Sequence, residues 1–201
     1  EPIRGILATI DYDDPSAVEA RAASIRSLLL AAPVPADVAH EIARAHAALE
    51  SRRGSRVPVS VRSSATAEDL PGTSFAGQQD TYLYVSGAGS VIEHVRRCWA
   101  SLWTDRAISY RKRQGFRHDG VFLAVVVQQM FPSEVAGVMF TANPVTSNPD
   151  QIFLNAGWGL GEAIVSGRVN PDQYIIDKGT LQVLEKTIND KAVMTVPGPE
   201  G

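Results

Sequence analysis

The chain has 201 residues, 44% of them hydrophobic, and its 22 acidic and 19 basic side chains leave a net charge of −3. A chain of this length buries roughly 70% of its unfolded surface, so it needs no disulfide framework, and the single cysteine, Cys98, excludes one within the chain. No apolar run approaches the ~20 residues of a membrane span, the start lacks the basic and apolar regions of a signal peptide, and the acidic balance argues against a general nucleic-acid binder; an intracellular, cytoplasmic protein is expected.

Asp14-Pro15-Ser16 supplies a helix N-cap with proline in the first turn, and Val18, Ala22, Ile25 and Leu29 recur at helical spacing until Pro33. A second helix starts at Pro35-Ala36-Asp37, carries Val38, Ile42, Ala45 and Leu49 on one face and ends near Arg53-Gly54. Residues 1–56 are thus a helical segment expected to pack on downstream parts of the chain. Val57 to Arg62 alternates like a strand, Ser63 to Gln79 is a long polar loop, and Thr81 to Val85 is a short strand. Ser90 caps a helix striped by Val91, Val95, Trp99, Leu102 and Trp103, which are expected in the core, and Thr104-Asp105 caps the next helix.

Val121 to Met130 predicts a buried strand, with Ala136 to Thr141 as its hairpin partner across Phe131-Pro132-Ser133-Glu134. Asn143-Pro144 and Asn148-Pro149 bracket a loop before a strand at Gln151 to Asn155, and a glycine-punctuated turn and short helix occupy Gly157 to Ser166. Tyr174 to Asp177 and Leu181 to Lys186 form a final hairpin through Lys178-Gly179-Thr180. Helices first, then mostly antiparallel strands interrupted by helices, predict the α+β class.

The loop after Arg62 gathers a cation, hydroxyls and glycines without apolar demand. These are phosphate-binding ingredients: Arg presents a planar fork to phosphate oxygens, Ser and Thr donate hydroxyl hydrogen bonds, and Gly admits close backbone approach. A surface loop whose Arg62 pairs with Glu68 or Asp69 is the alternative. Gly157-Trp158-Gly159-Leu160-Gly161-Glu162 is no dinucleotide fingerprint, because its sixth position is Glu162 and a βαβ context is missing. It reads as a tight strand-to-helix turn. No Walker A sequence occurs. His40, His46, His94 and His118 lack metal-site spacing and read as solvated or helix-surface residues, and no metal site is expected. Cys98 reads as core, and the basic residues from Arg96 to Arg117 as a solvated helix face.

Val61-Arg62-Ser63-Ser64-Ala65-Thr66-Ala67-Glu68-Asp69-Leu70-Pro71, followed by Ser74-Phe75-Ala76-Gly77-Gln78-Gln79-Asp80-Thr81, resembles the ATP-binding domain of phosphoenolpyruvate synthases and rifampin phosphotransferases. Three further blocks agree in order: Ala100-Ser101-Leu102-Trp103-Thr104-Asp105-Arg106-Ala107, Gly137-Val138-Met139-Phe140-Thr141, and Gly159-Leu160-Gly161-Glu162 running to Asn170-Pro171-Asp172.

The resemblance implies an ATP-grasp-like fold over residues 57–190, with two lobes holding ATP and Mg²⁺ and the β-phosphate passing to a histidine on a separate domain. It implies that Arg62 contacts the ATP phosphates as the one catalytic group, that Gly77, Gln78 and Thr81 line the phosphate loop, and that Gln128 faces the nucleotide. Ser63, Ser64 and Thr66 fall on the same loop. The family's opening lysine-bearing segment and its closing Glu, Gln and Arg do not occur here, nor do the phosphohistidine and acceptor domains. The chain is therefore expected to be a fragment of a longer phosphotransferase, with residues 191–201 a linker. A nucleotide-sensing or interaction module that kept the fold without the chemistry is the alternative.

Overall fold

In the computed structural model, which describes residues 2–66 and 80–198, the chain divides into two units, Glu1–Met130 and Phe131–Glu200. The first begins with a six-residue helix, α1 (Pro2–Leu7), which sequence periodicity does not announce. Next come α2 (Pro15–Ala31) and α3 (Ala36–Arg53), with the ends their caps predict. The Asp14 carboxylate accepts a 2.9 Å hydrogen bond from the Ser16 amide, and Gly54 closes α3 at φ 66° in the left-handed region.

A sheet of three antiparallel strands comes after these helices, in the order β2 (Thr81–Val85), β1 (Val59–Ala65), β3 (Leu123–Gln129). Between β2 and β3 run α4 (Ala88–Ser101) and α5 (Asp105–Arg113), the latter capped by the Thr104 hydroxyl as expected. Val59 and Val61 of β1 pack with Val91, Val95 and Cys98 of α4 into a buried cluster, with Trp99 half-buried beside it. Val18, Ala22 and Ile25 of α2 close on Ile108 of α5 in a second cluster.

Two faces read from the sequence turn out differently. On α3, His46 is buried and Ala45 exposed, so the inward stripe is Ile42, His46 and Leu49. Glu50 stands one turn later, 3.7 Å from the His46 ring, and offers the imidazole a polar partner at the margin of that stripe. On α5, Arg111 belongs to no solvated face, because it is fully buried. Its Nε donates to His118 Nδ1 (3.1 Å), its Nη1 donates to the Leu102 carbonyl (2.7 Å), and its guanidinium lies 5.1 Å from the Trp103 ring centre. Those neutral acceptors stand in for water at Nε and Nη1 beside the aromatic face, while the buried Nη2 has no hydrogen-bond partner among the described residues.

The second unit is a four-stranded antiparallel sheet in the order β4 (Val135–Phe140), β5 (Gln151–Trp158), β6 (Asp172–Asp177), β7 (Val183–Thr187). A short helix, α6 (Glu162–Val165), lies against β4 and β5. The final hairpin, β6 to β7, forms as predicted. The predicted β3–β4 hairpin does not form. All seven residues of β3 pair with β1, and the Met130 amide extends that ladder to the Pro58 carbonyl, which leaves β3 at the edge of its sheet while β4 pairs along β5. β4 is shaped for β5 instead: at Gly137 a Cβ would stand 2.6 Å from the Asn155 carbonyl oxygen.

The glycine-rich turn after β5 is structural, as its sequence suggested. Gly159 has φ +76°, and a Cβ there would lie 2.4 Å from the Thr195 carbonyl oxygen. The Leu160 amide bonds that same oxygen at 2.8 Å, and the Thr195 hydroxyl bonds Glu162 at 2.9 Å, tying residues near the end of the chain to this turn.

This packing has two measurable consequences. Gly159→Ala combines a left-handed backbone with a main-chain clash, whereas Gly167→Ala at φ +70° meets nothing within 4 Å. Denaturant titration should show the first losing about 1–3 kcal/mol more than the second; equal losses would mean that Thr195 yields freely.

The other consequence concerns pH. Burial first, then the charges of Arg111 and Lys112, push the His118 imidazole from about 6.5 down to about 4, against an opposing pull from Asp119. With Nδ1 accepting from Arg111, the ring proton sits on Nε2, 3.0 Å from the Tyr12 hydroxyl. Between those two values the unfolded chain binds a proton that the folded chain refuses. His118 therefore contributes fully above about pH 6.5 and loses its contribution as pH falls toward 4. Thermal melts between pH 4 and 7 should show a shallower acid slope in His118→Gln than in the native protein.

Candidate functional site

β1 is the middle strand of the first sheet, and its two faces have opposite fates. Directly opposed residues in an antiparallel pair project to the same side, and successive residues alternate sides. Val59 and Val61 face α4, with Ala65 buried on the same side. Arg62 projects the other way, opposite Thr81 of β2 and Val126 of β3. The adjoining rows pair Ser60 with Gln128 and Ser64 with Ala124.

One face of the sheet is thus core, and the other presents Arg62, Thr81 and Gln128, all exposed. Val126, at the centre of that second face, is 48% exposed, so no described element of this unit covers it. Arg62 and Gln128 are diagonal neighbours on adjacent strands, a Cα spacing of about 7–8 Å, so a single group of a few atoms reaches both.

The sequence placed Ser63, Ser64 and Thr66 together on a loop. The structure instead continues β1 to Ala65, because residues 63–65 keep pairing with residues 123–125 of β3. The alternation then separates the two serines: Ser64 shares the Arg62 face, while half-buried Ser63 lies on the other. Thr66 anchors the end of the strand, with its amide on the Phe122 carbonyl (3.0 Å) and its Oγ1 accepting the Phe122 amide (3.1 Å). Gly77 and Gln78 lie outside the described residues, as do Glu68 and Asp69 of the alternative surface-loop reading.

Chemically the open face is a donor surface. Arg62 supplies a permanent cation with forked N–H groups, Thr81 a hydroxyl and Gln128 an amide, all suited to anionic oxygens. No hydrogen bond or ion pair joins Arg62 to another described residue. The paired rows of this face carry no carboxylate, and among the described residues no group of three His, Cys, Asp or Glu side chains could hold a metal ion. The described part of the site therefore suits phosphate oxygens and does not by itself suit Mg²⁺, which prefers carboxylate oxygens. Sequence reasoning missed Val126, at the centre of this face, and Ser60, which shares its side but is buried with its hydroxyl donating to the Gln128 carbonyl at 3.4 Å. Their even-numbered alternation with Arg62 and Gln128 was the available signal.

A family model described as pyruvate phosphate dikinase, AMP/ATP-binding domain, matches residues 1–201. The phosphoenolpyruvate synthase of Pyrococcus furiosus is 54% identical over 199 residues, which cover 98% of this chain and 24% of that protein. A probable phosphoenolpyruvate synthase of Methanocaldococcus jannaschii is 48% identical over 202 residues, covering 100% of this chain and 17% of that one. The rifampicin phosphotransferase of Streptomyces sviceus is 48% identical over 185 residues, 92% of this chain and 21% of its own length. The chain spans about a quarter or less of each of these relatives.

An exposed strand residue with no described partner contributes little to folding. Arg62→Ala should therefore leave the denaturation midpoint within about 0.5 kcal/mol of the native protein; a larger loss would assign Arg62 a structural contact.

Proposed function

Because the chain belongs to the pyruvate phosphate dikinase AMP/ATP-binding domain family, we propose that it is the ATP-binding part of a longer dikinase-type phosphotransferase. That enzyme passes the β-phosphate of ATP through a histidine on another domain of the same polypeptide to pyruvate or to an antibiotic. Supporting this are the relatives named phosphoenolpyruvate synthase and rifampicin phosphotransferase. The observation that carries it is the open sheet face on which Arg62, Thr81 and Gln128 align. In this reading the fold is ATP-grasp-like, residues 57–190 make up the nucleotide-binding part, the helical segment 1–56 braces it, and 191–201 lead on as a linker anchored at Thr195 to the turn after β5. The protein works in the cytoplasm without nucleic-acid or membrane partners.

Each residue has a definite task. Arg62 neutralises charge on the phosphates, which is most of what phosphoryl transfer asks of a protein. Thr81 and Gln128 orient the phosphate chain by hydrogen bonds, and Gly77 and Gln78 line the same phosphates. Mg²⁺ would shield charge between the phosphates when bound with ATP. The described residues do not supply its ligands, so the work of this face falls to Arg62, Thr81 and Gln128 alone.

The test is ATP binding by the full-length protein. A charge-assisted hydrogen bond is worth ~1.5–3 kcal/mol, so Arg62→Ala should weaken ATP binding at least about tenfold. Gln128→Ala, which loses a neutral bond, should weaken it by less. ATP binding that is indifferent to Arg62→Ala overturns the assignment.

A further inference from the structure

Behind the open face, the last turns of α4 reach the main chain at the two strand positions that carry Arg62 and Thr81. The Cys98 thiol lies 3.7 Å from the carbonyl oxygen of Val61 and 3.7 Å from that of Asp80, the residues immediately before Arg62 and Thr81. The Ser101 hydroxyl accepts the Asp80 amide at 3.2 Å and donates to the Cys98 carbonyl at 2.8 Å. From β2 itself, the Tyr82 hydroxyl donates to Asp80 Oδ2 at 2.9 Å, and its ring meets the His94 imidazole edge-on at 4.7 Å. Cys98 and Ser101 are buried to 0% and 1% exposure. Burial foremost, with the Asp80 charge second, pushes the Cys98 thiol up to about 12, so it stays protonated and keeps its donor. Burial and the bond to Asp80 raise Tyr82 as well.

These contacts matter because β2 is weakly held. It is an edge strand with only three registered pairs to β1, a register shift falls between Val59 and Val61, and Tyr84 sits at φ 56°. A strand with so short and irregular a ladder is poorly specified in register, and a slip of one residue would turn Thr81 to the opposite face. The contacts from α4 are made to backbone atoms of Val61 and Asp80. They therefore constrain where the two strands lie, beyond filling space.

We propose that Ser101, Cys98 and Tyr82 are positioning residues: they hold Asp80, and through it set Thr81 opposite Arg62, so that the phosphate-contacting groups of the open face keep their spacing. This rests on the reading of that face as an ATP-phosphate site. A misplacement of about 1 Å at such a site is costly to binding and transfer, and here the alignment is set from the buried side by groups that never meet the nucleotide.

The experiment measures ATP affinity and melting temperature of the full-length protein in a set of variants. Tyr82→Phe keeps the ring and removes the donor; it should weaken ATP binding roughly three- to tenfold, a fraction of what one hydrogen bond to a charged carboxylate is worth. Asp80→Asn, which still offers an oxygen to Tyr82, should bind better than Asp80→Ala, and Ser101→Thr better than Ser101→Ala. Since the clamp acts through Thr81, Tyr82→Phe should add little in a Thr81→Ala background. Purely additive losses, or unchanged affinity in Tyr82→Phe, overturn the clamp. Arg62→Ala separates the two ideas: if it weakens ATP binding while the clamp variants do not, the site stands and the clamp falls. If Arg62→Ala binds ATP like the native protein, the reading of the face itself falls.

Discussion

The first unit is organised by the pairing of β1 with β3 over seven consecutive residues. That ladder makes β1 an interior strand, and an interior strand cannot turn its side chains without breaking both neighbours. Once Val59 and Val61 are committed to the α4 side, Arg62 has no choice of face. The hydrophobic contact beneath the sheet thus decides the direction of a cation that touches none of the core. It also keeps the folding and binding roles of neighbouring residues apart: the odd positions 59 and 61 are buried for stability, while Arg62 and Ser64 remain available to a ligand.

Local signals were legible where a single residue suffices to specify the backbone. Asp14, Thr104 and Gly54 mark helix ends because a side-chain oxygen or a missing Cβ meets a need confined to one turn. The boundaries of β2 were legible for a similar reason, being a compact run of Tyr, Leu and Val between polar residues. Which strand pairs with which is a different kind of information. The five residues between β3 and β4 permit a hairpin, and nothing local forbids it. The decision lies at a distance, in Gly137 needing the close approach of Asn155 along the β4–β5 ladder.

Buried polar residues escaped the sequence for the same reason. Arg111 stands within a run of basic residues and looks like its neighbours Lys112 and Arg113, which are exposed. Its burial depends on His118, Trp103 and the Leu102 carbonyl arriving from other parts of the unit. None of the three is an acid, so no charge pattern along the chain would have paired them. Of the candidate site, the residue types and their order were readable, and Arg62, Thr81 and Gln128 share one face as the alternation requires. The grouping of Ser63 with Ser64 was not readable, because deciding between loop and strand at that point required knowing that residues 123–125 lie alongside.

The two sides of β1 also explain why α4 carries small polar residues in a helix otherwise striped with valine. An aliphatic side chain at Ser101 would leave the Asp80 amide at the edge of the sheet without its acceptor, and a buried amide left unbonded costs more than the added apolar contact returns. Cys98 meets both demands at one position: its sulfur packs with Val91 and Val95 as a small hydrophobe, and its thiol proton is directed toward backbone carbonyls of two different strands. Sheet and helix are thereby joined by directional bonds at one row, the row from which Arg62 and Thr81 project. A face built to receive anionic oxygens needs that rigidity. Its donors do not attract one another, and no carboxylate in the paired rows of the described face pulls them into place. Their geometry has to be imposed from behind, by contacts that are complete before any ligand arrives.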